Sequence, residues 1–473
     1  MTVRILLGVD VGTTSLKAVA TDGDGRLVRE GAVRYPTATD ADGGAEQDAD
    51  VWWRALCEIA PRVVAGDEVV AVAVTSQAPT LVPVDADGAA VGPAFTWLDR
   101  RAQADAARVA AVAPGRNGAD AFFGTAKLPW LARERPAIAD AAHRVVSANG
   151  YIVARLGGAV VLDDTSASLM QGFDEESSSF PAALREAVAG LDLLPETVAS
   201  STVVGAVSAS SAAATGITLG ARVIAGAIDA VGSALEAGVL APGGPLIEMT
   251  GFSSVSMLAV PSGTAVPGFI HARHCVPGTD LLIAAQVTAG ATVDWVNALD
   301  PAHDLRDDPA LATRSRPSRL TFATPLAGER TPTWNPRARG ILDGIDLGTD
   351  GVELLLAALE GNALALAGDV VALGAHGYPV AEVLATGGGA RSDLWLQIKA
   401  DALGVPVHRA ERGHGAAQGA SYLAGAAAGE YRLDEVVAGG GIETTFHPDP
   451  DRHAAYRAKL AWADRIARLN AER

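Results

Sequence analysis

The sequence predicts an α/β protein made of two domains. The chain has 473 residues, more than one hydrophobic core usually serves, so two domains of about 200 to 250 residues each are expected. Short apolar runs typical of buried strands alternate along the chain with helical stretches. Residues 246–258 repeat, at the head of the second half, the strand, turn and strand of the N-terminal residues. We therefore expect two similarly built domains that each contribute a turn to a shared cleft.

The composition restricts the partners that the chain can bind. A net charge of −18 at pH 7 argues against nucleic acid and against an anionic membrane surface, because either would require a basic face. The apolar run 354–373 is interrupted by Glu360 and Asp369, so no membrane span is expected. The only cysteines, Cys57 and Cys275, lie far apart and support neither a disulfide framework nor a cysteine-ligated zinc site. We therefore expect a cytoplasmic protein.

The first element is a hairpin with a polar turn. Residues 5–9 and 18–20 are apolar runs that predict strands, and between them lie a carboxylate, a tight turn, hydroxyls and an ammonium group. Backbone N–H groups in such a turn can form a nest for an anion, and a lysine adds positive charge. The hairpin fits a magnesium-bound polyphosphate, although a hairpin without ligand has the same pattern. Its functional candidates are Asp10, Gly12, Thr13, Thr14 and Lys17.

The next elements extend this sheet. Residues 26–33 predict a third strand, and residues 46–53 predict the start of a helix with acidic residues in its first turn. Residues 69–74 form a nearly continuous apolar run, which predicts a buried parallel strand. That strand delivers residues 75–77 at its carboxyl end, where ligands bind in open α/β sheets.

Two further stretches carry candidates for substrate binding and acid–base chemistry. Residues 96–101 combine an aromatic face with a carboxylate and two guanidinium groups, which suits a small polyhydroxylated molecule but equally a helix start with a surface ion pair. Residues 224–228 predict an apolar strand that delivers Asp229 into a cleft, and small residues then open a helix. There Asp229 can accept a hydroxyl proton during phosphoryl transfer. An ordinary N-cap aspartate has the same local pattern.

The second half begins at a joint rich in proline and glycine, residues 238–245. After the strand, turn and strand of 246–258, residues 289–295 predict a helix that starts with small residues. Residues 384–393 predict a strand ending in three glycines, whose missing side chains would let a flat ring or a phosphate lie close. Residues 456–469 predict a packed terminal helix.

Taken in order, these motifs resemble those of the FGGY carbohydrate kinases. The resemblance runs from Gly8 to about Gly425 and rests on 10–17, 97–101, 226–229, 251–253, 328–332, 338–340 and 387–393. Within the family, Gly-Glu-Arg-Thr-Pro at 328–332 followed by Ala-Arg-Gly at 338–340 is most similar to the xylulokinase branch. The resemblance implies two actin-like, ribonuclease-H-like ATPase domains with a nucleotide cleft and a hinge between them. It also implies an ATP-dependent kinase for a small ketose or a related polyol.

Chemistry and resemblance together assign roles to the candidates. Residues 1–238 are expected to bind the sugar and supply the base, and residues 239–473 to bind the nucleotide. The implied cofactors are ATP and Mg²⁺, with Asp229 as the base and Asp10 orienting the metal. The phosphates are assigned to Gly12, Thr13, Thr14, Lys17, Gly251, Ser253 and Ser254. The rest of the nucleotide is assigned to Gly290, Asp294, Gly388, Gly389, Ala390 and Asp393, and the substrate to Gln77, Ala78, Trp97, Asp99, Arg100, Asp229 and Phe252.

Departures from the family pattern concern the substrate. Ala78 and Pro79 stand where xylulokinases usually carry Met-His and glycerol kinases Arg-Glu, and Ala230 stands where these families usually have Asn or Gln. The Ile-Asp-Ala run is more similar to ribulokinase-like members. Asp294 and Asp393 occupy positions often held by Gln or Asn. The substrate therefore stays open between a pentulose such as xylulose or ribulose and another acceptor such as erythritol, glycerol, gluconate or fuculose.

Two other classes of protein are weighed against the kinase. An actin-type or chaperone-type ATPase would use a similar hairpin but has no need of Asp229 or of the motif at Trp97. A catalytically inactive sugar sensor would be expected to have lost Asp10, Lys17 or Asp229, and all three are present. The expected partner is a small sugar or polyol, with a homodimer as the oligomer considered.

Overall fold

The computed structural model describes residues 3–40, 42–113, 115–299, 304–314, 316–411, 413–437 and 441–470. Its strands are β1 (Arg4–Val11), β2 (Ser15–Thr21), β3 (Leu27–Arg34), β4 (Ala38–Thr39), β5 (Ala45–Gln47), β6 (Glu68–Ser76), β7 (Leu81–Val84), β8 (Ala94–Phe95), β9 (Arg144–Ser147), β10 (Leu162–Asp163), β11 (Thr197–Val198), β12 (Val203–Ala206), β13 (Arg222–Ile224), β14 (Ala227–Ile228), β15 (Leu246–Thr250), β16 (Ser254–Pro261), β17 (Ile270–Arg273), β18 (Thr279–Gln286), β19 (Thr321–Ala323), β20 (Ile341–Asp343), β21 (Val383–Gly387), β22 (Val407–Ala410) and β23 (Ile442–Phe446).

The helices run between and around these strands. They are α1 (Ala49–Val64), α2 (Gln103–Val112), α3 (Lys127–Glu134), α4 (Pro136–Ala141), α5 (Ala148–Leu156), α6 (Asp164–Ser168), α7 (Ala182–Ala187), α8 (Ala209–Thr215), α9 (Asp229–Glu236), α10 (Gly290–Asn297), α11 (Pro309–Thr313), α12 (Gly351–Ala375), α13 (Asp393–Leu403), α14 (Ala416–Ala428), α15 (Leu433–Val437) and α16 (Pro450–Arg468).

Two sheets of the same topology form the two halves of the fold. In the first sheet, β1, β2 and β3 form an antiparallel meander, β6 pairs with β1 in parallel, and β13 and β14 pair with β6 in parallel. In the second sheet, β15, β16 and β18 form the meander, β21 pairs with β15 in parallel, and β22 pairs with β21 in parallel. This shared order confirms the predicted α/β class with two actin-like domains.

Most of the predicted elements are present. The strands expected near residues 5–9, 18–20, 26–33, 69–74 and 246–258, and the helices expected at 289–295 and after the glycine triplet, are confirmed. The helix predicted to start at 46–53 begins later, because Glu46 pairs with Phe95 in a sheet and Asp48 caps α1 through the N–H of Asp50. The terminal helix begins six residues before the predicted start at Tyr456, at Pro450, with Asp449 as its N-cap.

A small sheet was not predicted from the sequence. It has the order β4-β5-β8-β7-β9, and several of its strands contain only two to four residues, too short to show an alternating pattern. Its strand β8 ends at Phe95, directly before residues 96–101, which we call the tryptophan motif. The Phe95 ring packs edge to face on Trp130 with ring centres 5.5 Å apart. The small sheet therefore sets the position of the tryptophan motif.

The long apolar helix α12 is a core helix. Its 25 residues are long and apolar enough to cross a membrane by length and composition, but 72% of its most apolar window is buried inside the protein. Glu360, in the middle of this helix, is fully buried and accepts hydrogen bonds from the Tyr456 hydroxyl and the Lys459 ammonium group. Helix α12 also contacts α10, α13, α16 and β19.

Helix α14 belongs to the second half of the chain but packs on the first sheet and on α9. The contact is so close that it requires glycine. A Cβ on Gly8 would lie 1.9 Å from the carbonyl oxygen of Ala417, and a Cβ on Gly419 would lie 1.8 Å from the carbonyl oxygen of Gly232. The helices and the strand therefore approach backbone to backbone, and this contact joins the two halves.

The substitution Gly8→Ala tests this contact. The added methyl group must displace α14 from β1, and overpacking of this kind costs about 1–3 kcal/mol. We expect a lower midpoint of thermal or denaturant unfolding for Gly8→Ala than for the matched control Gly23→Ala, whose Cβ would meet nothing within 4 Å. Equal midpoints for the two variants would contradict the proposed backbone contact.

Candidate active site

The turn between β1 and β2 is held from behind by side chains of the same sheet and its neighbours. The Tyr35 hydroxyl donates to the carbonyl oxygen of Gly12 at 2.7 Å, and Thr37 and Gln47 donate to the carbonyl oxygen of Thr13 at 2.9 and 2.7 Å. The backbone N–H groups of Thr13 and Thr14 have no acceptor in the part of the chain that the structure describes. These two N–H groups can therefore receive an anion.

Asp10 and Lys17 face each other across this hairpin. They are paired positions on β1 and β2, and the Thr75 hydroxyl donates to the Asp10 carboxylate at 3.1 Å. Burial raises the pKa of Asp10 to about 6, against the opposing effects of the Lys17 charge and the Thr75 hydrogen bond. Thr75 lies at the carboxyl end of β6, as the sequence predicts, and its side chain orients Asp10.

Asp229 is the first residue of α9 and follows directly after β14. Its carboxylate accepts a hydrogen bond from the N–H of Ala230 at 2.8 Å and forms no ion pair with any described residue. Burial and the charge of Asp10 raise the pKa of Asp229 to about 7, while the Ala230 N–H and the Arg330 charge act in the opposite direction. A carboxyl group poised near neutral pH suits a general base.

The tryptophan motif contacts both the turn between β1 and β2 and the second half of the chain. The indole N–H of Trp97 donates to the Thr13 hydroxyl at 3.1 Å. On the Trp97 ring lies the guanidinium group of Arg330, 4.5 Å from the ring centre, and this group also lies 5.1 Å from the centre of the Phe122 ring. Arg330 lies in one of the motifs that carry the family resemblance, but no site role was assigned to it from the sequence.

The other polar residues of this motif are used inside the protein. The Asp99 carboxylate is buried and pairs with Arg101, and Arg100 makes two hydrogen bonds to Asp120, at 2.5 and 2.6 Å. The expected ion pair at this motif is therefore present, but it is largely buried and not on the surface. Contact of Asp99 and Arg100 with a substrate stays a prediction.

Gln77 and Ala78 lie at the end of β6. The Gln77 side chain is 1% exposed and donates to Gln47 at 2.7 Å, and its own carbonyl oxygen has no partner among the described residues. Ala78 is partly buried and offers no polar side chain. Substrate contact of either residue stays a prediction.

The turn between β15 and β16, called the second turn below, is fixed by a buried ion pair. The Lys399 ammonium group donates to Glu248 at 2.7 Å and to the Thr250 hydroxyl at 2.9 Å, and the Ser254 hydroxyl donates to Glu248 at 2.7 Å. Lys399 and Glu248 are 2% and 1% exposed. This network holds both ends of the turn at Gly251 and Ser253, and neither Glu248 nor Lys399 was singled out from the sequence. The sequence signals are a lysine among the apolar residues of α13 and a glutamate within the apolar strand β15.

The predicted glycine wall assembles around this turn. The N–H of Gly290 donates to the carbonyl oxygen of Gly251 at 3.0 Å, and a Cβ on Gly290 would lie 2.2 Å from that oxygen. From the other side, Gly387 pairs with Thr250, and a Cβ on Gly389 would lie 2.6 Å from the Thr250 side chain. Gly290, the second turn and the glycine triplet thus come together, with Gly388 and Phe252 exposed and Ala390 buried.

Asp294 and Asp393 are exposed and paired with arginines. Asp294 lies 3.1 Å from Arg306, and Asp393 pairs with Arg409, whose guanidinium also donates to the carbonyl oxygen of Ala390. Each carboxylate therefore balances a neighbouring positive charge, and nucleotide contact by either stays a prediction.

A divalent cation fits the site formed by Asp10 and Asp229. No cluster of three or more His, Cys, Asp or Glu side chains suited to a resident metal occurs in the described ranges. However, Asp10 and Asp229 interact unfavourably as like charges, and a cation between them would relieve that repulsion. Mg²⁺ is usually held by one or two carboxylates together with substrate phosphates, and this donor set matches that chemistry.

This fold and site define a two-domain kinase of the actin-like class. Models of the N-terminal and C-terminal domains of the FGGY family of carbohydrate kinases match residues 5–235 and 249–428. The chain therefore belongs to the FGGY family of carbohydrate kinases, and the resemblance seen in the sequence is confirmed. ATP is the phosphoryl donor in this family.

Individual relatives cover nearly the whole chain. A xylulose kinase of Streptomyces rubiginosus is 32% identical over 83% of this chain and 82% of its own length. An erythritol kinase of Brucella abortus is 30% identical over 92% of this chain and 89% of its own. The crystal structure of a xylulose kinase from Rhodospirillum rubrum is 26% identical and superimposes with a TM-score of 0.86, covering 98% of both chains.

The pH dependence of stability tests the environment of Asp229. Its pKa is raised from 3.8 to about 7 in the folded state, so the folded protein holds a proton that the unfolded chain releases between these values. Stability from this group is thus present at low pH and is lost as the pH rises to about 7. We expect Asp229→Asn to melt at a higher temperature than the wild type at pH 8, with a smaller difference at pH 5.

The matched control for this measurement is Asp140→Asn, an exposed carboxylate on α4. Its melting temperature should differ from that of the wild type by a small amount that does not change between pH 5 and pH 8. A difference for Asp229→Asn that is independent of pH would contradict the raised pKa.

Proposed function

We propose that this kinase transfers the γ-phosphoryl group of ATP to a hydroxyl of a small ketose, a pentulose such as xylulose or ribulose, or of a related polyol. The observation that carries the proposal is the Asp229 carboxylate, which is beside Asp10 and has a pKa near neutrality. A base in this state can take up the hydroxyl proton as the oxygen attacks phosphorus.

In the proposed reaction, Asp229 accepts the proton of the acceptor hydroxyl. The oxygen forms a bond to the γ-phosphorus, the bond between that phosphorus and the bridging oxygen breaks, and ADP leaves. Lys17 and the free N–H groups of Thr13 and Thr14 offset the negative charge on the transferring group. The turn from Gly251 to Ser254 would hold the phosphates from the other side.

Mg²⁺ is proposed as the metal, held by ATP and by Asp10. When bound, it neutralises charge on the β- and γ-phosphates. Asp10 is kept in position for this role by the hydrogen bond from Thr75.

The two halves of the chain have different roles in the proposed reaction. Residues 1–238 would bind the sugar and supply the base, and residues 239–473 would bind the nucleotide through Gly290, the glycine triplet and Ala390. A cleft and a hinge between them would exclude water during transfer. We place the enzyme in the cytoplasm, where ATP is available, and propose a homodimer as the assembly to be tested by light scattering.

Erythritol and similar polyols are the second candidate for the acceptor. The similarity to the erythritol kinase of Brucella abortus supports it. So do Ala78, Pro79 and Ala230, which offer no polar side chain where xylulokinases usually carry Met-His and Asn and glycerol kinases Arg-Glu and Gln. ADP release measured over pentuloses, hexuloses, tetritols, pentitols, glycerol and aldonates decides between them. A pentulose or polyol as the best acceptor supports the proposal, and release that no acceptor stimulates would contradict it.

Asp229→Asn tests the base. The amide is nearly the same shape but cannot accept the proton, so we expect kcat to fall by about 10² to 10⁴. The dissociation constant of the acceptor, measured by calorimetry, should change little. Asp140→Asn is again the control and should keep its activity. Turnover of Asp229→Asn close to that of the wild type would show that another group is the base.

A further inference from the structure

We propose that Arg330 is a specificity-determining residue whose guanidinium group binds oxygen atoms of the sugar substrate from the C-terminal side of the cleft. This inference rests on the proposed function and deepens it. It concerns a residue to which no role has been assigned above.

The loop that carries Arg330 lies against the sugar-binding half. Besides the contacts of Arg330 with Trp97 and Phe122, the Trp334 ring packs on Phe122 and Phe123, with ring centres 5.8 and 5.4 Å apart. The indole N–H of Trp334 donates to the carbonyl oxygen of Gly268, which ties the loop to its own half. The guanidinium group is therefore delivered across the boundary between the halves onto the ring of the tryptophan motif.

The donors of Arg330 are free. Its side chain makes no hydrogen bond and no ion pair with any residue in the described ranges, and the residue is partly buried. Burial and the nearby charge of Arg100 lower its pKa to about 10, so it stays charged at neutral pH. A partly buried guanidinium group without a protein partner keeps its N–H groups available to a ligand.

The neighbouring polar groups that could bind a sugar are already engaged. Trp97 donates to Thr13, Arg100 to Asp120, and the Gln77 amide to Gln47, while Asp99 accepts from Arg101. Ala78, Pro79 and Ala230 have no polar side chain. This leaves the donors of Arg330, the carboxylate of Asp229 and the unpartnered carbonyl oxygen of Gln77. Among these, only Arg330 can donate several hydrogen bonds.

The geometry of a guanidinium group indicates the chemistry of its ligand. Its planar fork of N–H donors matches two oxygen atoms side by side, as in vicinal hydroxyls or in a carboxylate. Both occur among sugar acceptors, the first in pentuloses and tetritols and the second in aldonates. The stacking partners of Arg330 belong to the sugar-binding half, which favours the acceptor over the phosphates of ATP.

The test compares Arg330→Gln and Arg330→Lys with Arg337→Gln, an exposed arginine nearby in the same segment whose side chain contacts no described residue through a hydrogen bond or ion pair. The KM for the acceptor and for ATP, and the dissociation constant of the acceptor without nucleotide, are measured for each protein. The acceptors are xylulose, ribulose, erythritol and gluconate.

We expect Arg330→Gln to raise the KM and the dissociation constant of the acceptor by about 10- to 100-fold, the loss typical of hydrogen bonds from a charged group. The KM for ATP should stay within about 2-fold, and Arg337→Gln should behave as the wild type. Loss confined to gluconate identifies a carboxylate as the bound group, and loss with the pentuloses or erythritol identifies vicinal hydroxyls. If Arg330→Gln does not fold, Arg330→Lys, which keeps the charge but lacks the fork, should show the same direction of change.

Three results would overturn the inference. Unchanged acceptor affinity in a folded variant would leave Arg330 with a packing role only. A raised KM for ATP or a lowered kcat at unchanged acceptor affinity would place Arg330 on the phosphoryl group. A wild-type enzyme that phosphorylates no acceptor would refute the proposed function itself, and the inference with it.

Discussion

The backbone contact between α14, β1 and α9 is the constraint on which the site depends. Gly8, Gly232 and Gly419 allow three backbones to meet without side chains between them. Gly232 lies one turn after Asp229, and a Cβ there would lie 2.9 Å from the side chain of Thr75, the residue that orients Asp10. The contact that joins the two halves therefore lies directly beside Asp229 and beside Thr75, which orients Asp10. Glycine is needed at these positions because a Cβ would clash with backbone atoms of the facing element or with the Thr75 side chain.

The two turns, between β1 and β2 and between β15 and β16, occupy the same place in their sheets but are stabilised differently. The first turn is held by hydroxyl and amide groups behind it, which leaves the N–H groups of Thr13 and Thr14 without an acceptor among the described residues, and Lys17 is exposed. The second turn is held by the buried pair of Glu248 and Lys399, so its own charge is neutralised. Positive charge is thus directed to the first turn, beside Asp10 and Asp229. Such an asymmetry suits a reaction in which one half stabilises the transferring group and the other positions the nucleotide.

An aromatic contact connects the two halves beside Trp97. Trp97, Phe122 and Phe123 of the first half meet Arg330 and Trp334 of the second. Trp97 also donates to Thr13, so the same tryptophan contacts both Arg330 and the turn between β1 and β2. In the proposed reaction the acceptor and the phosphates would therefore lie next to each other, as direct transfer that excludes water requires.

The sequence by itself determined the α/β class, the two strand, turn and strand units, the glycine triplet and the position of Asp229 at a strand end. These features are local, since periodicity and turn residues act over a few neighbours. Only the tertiary structure decided which polar groups remain free. Asp99, Arg100, Asp294 and Asp393 look alike in the sequence as possible ligands of substrate or nucleotide, yet each pairs with a charged residue. Arg330 has no such partner among the described residues. Helix α14 crosses to the first sheet. Neither feature leaves a local pattern in the sequence, because both depend on residues far apart in the chain.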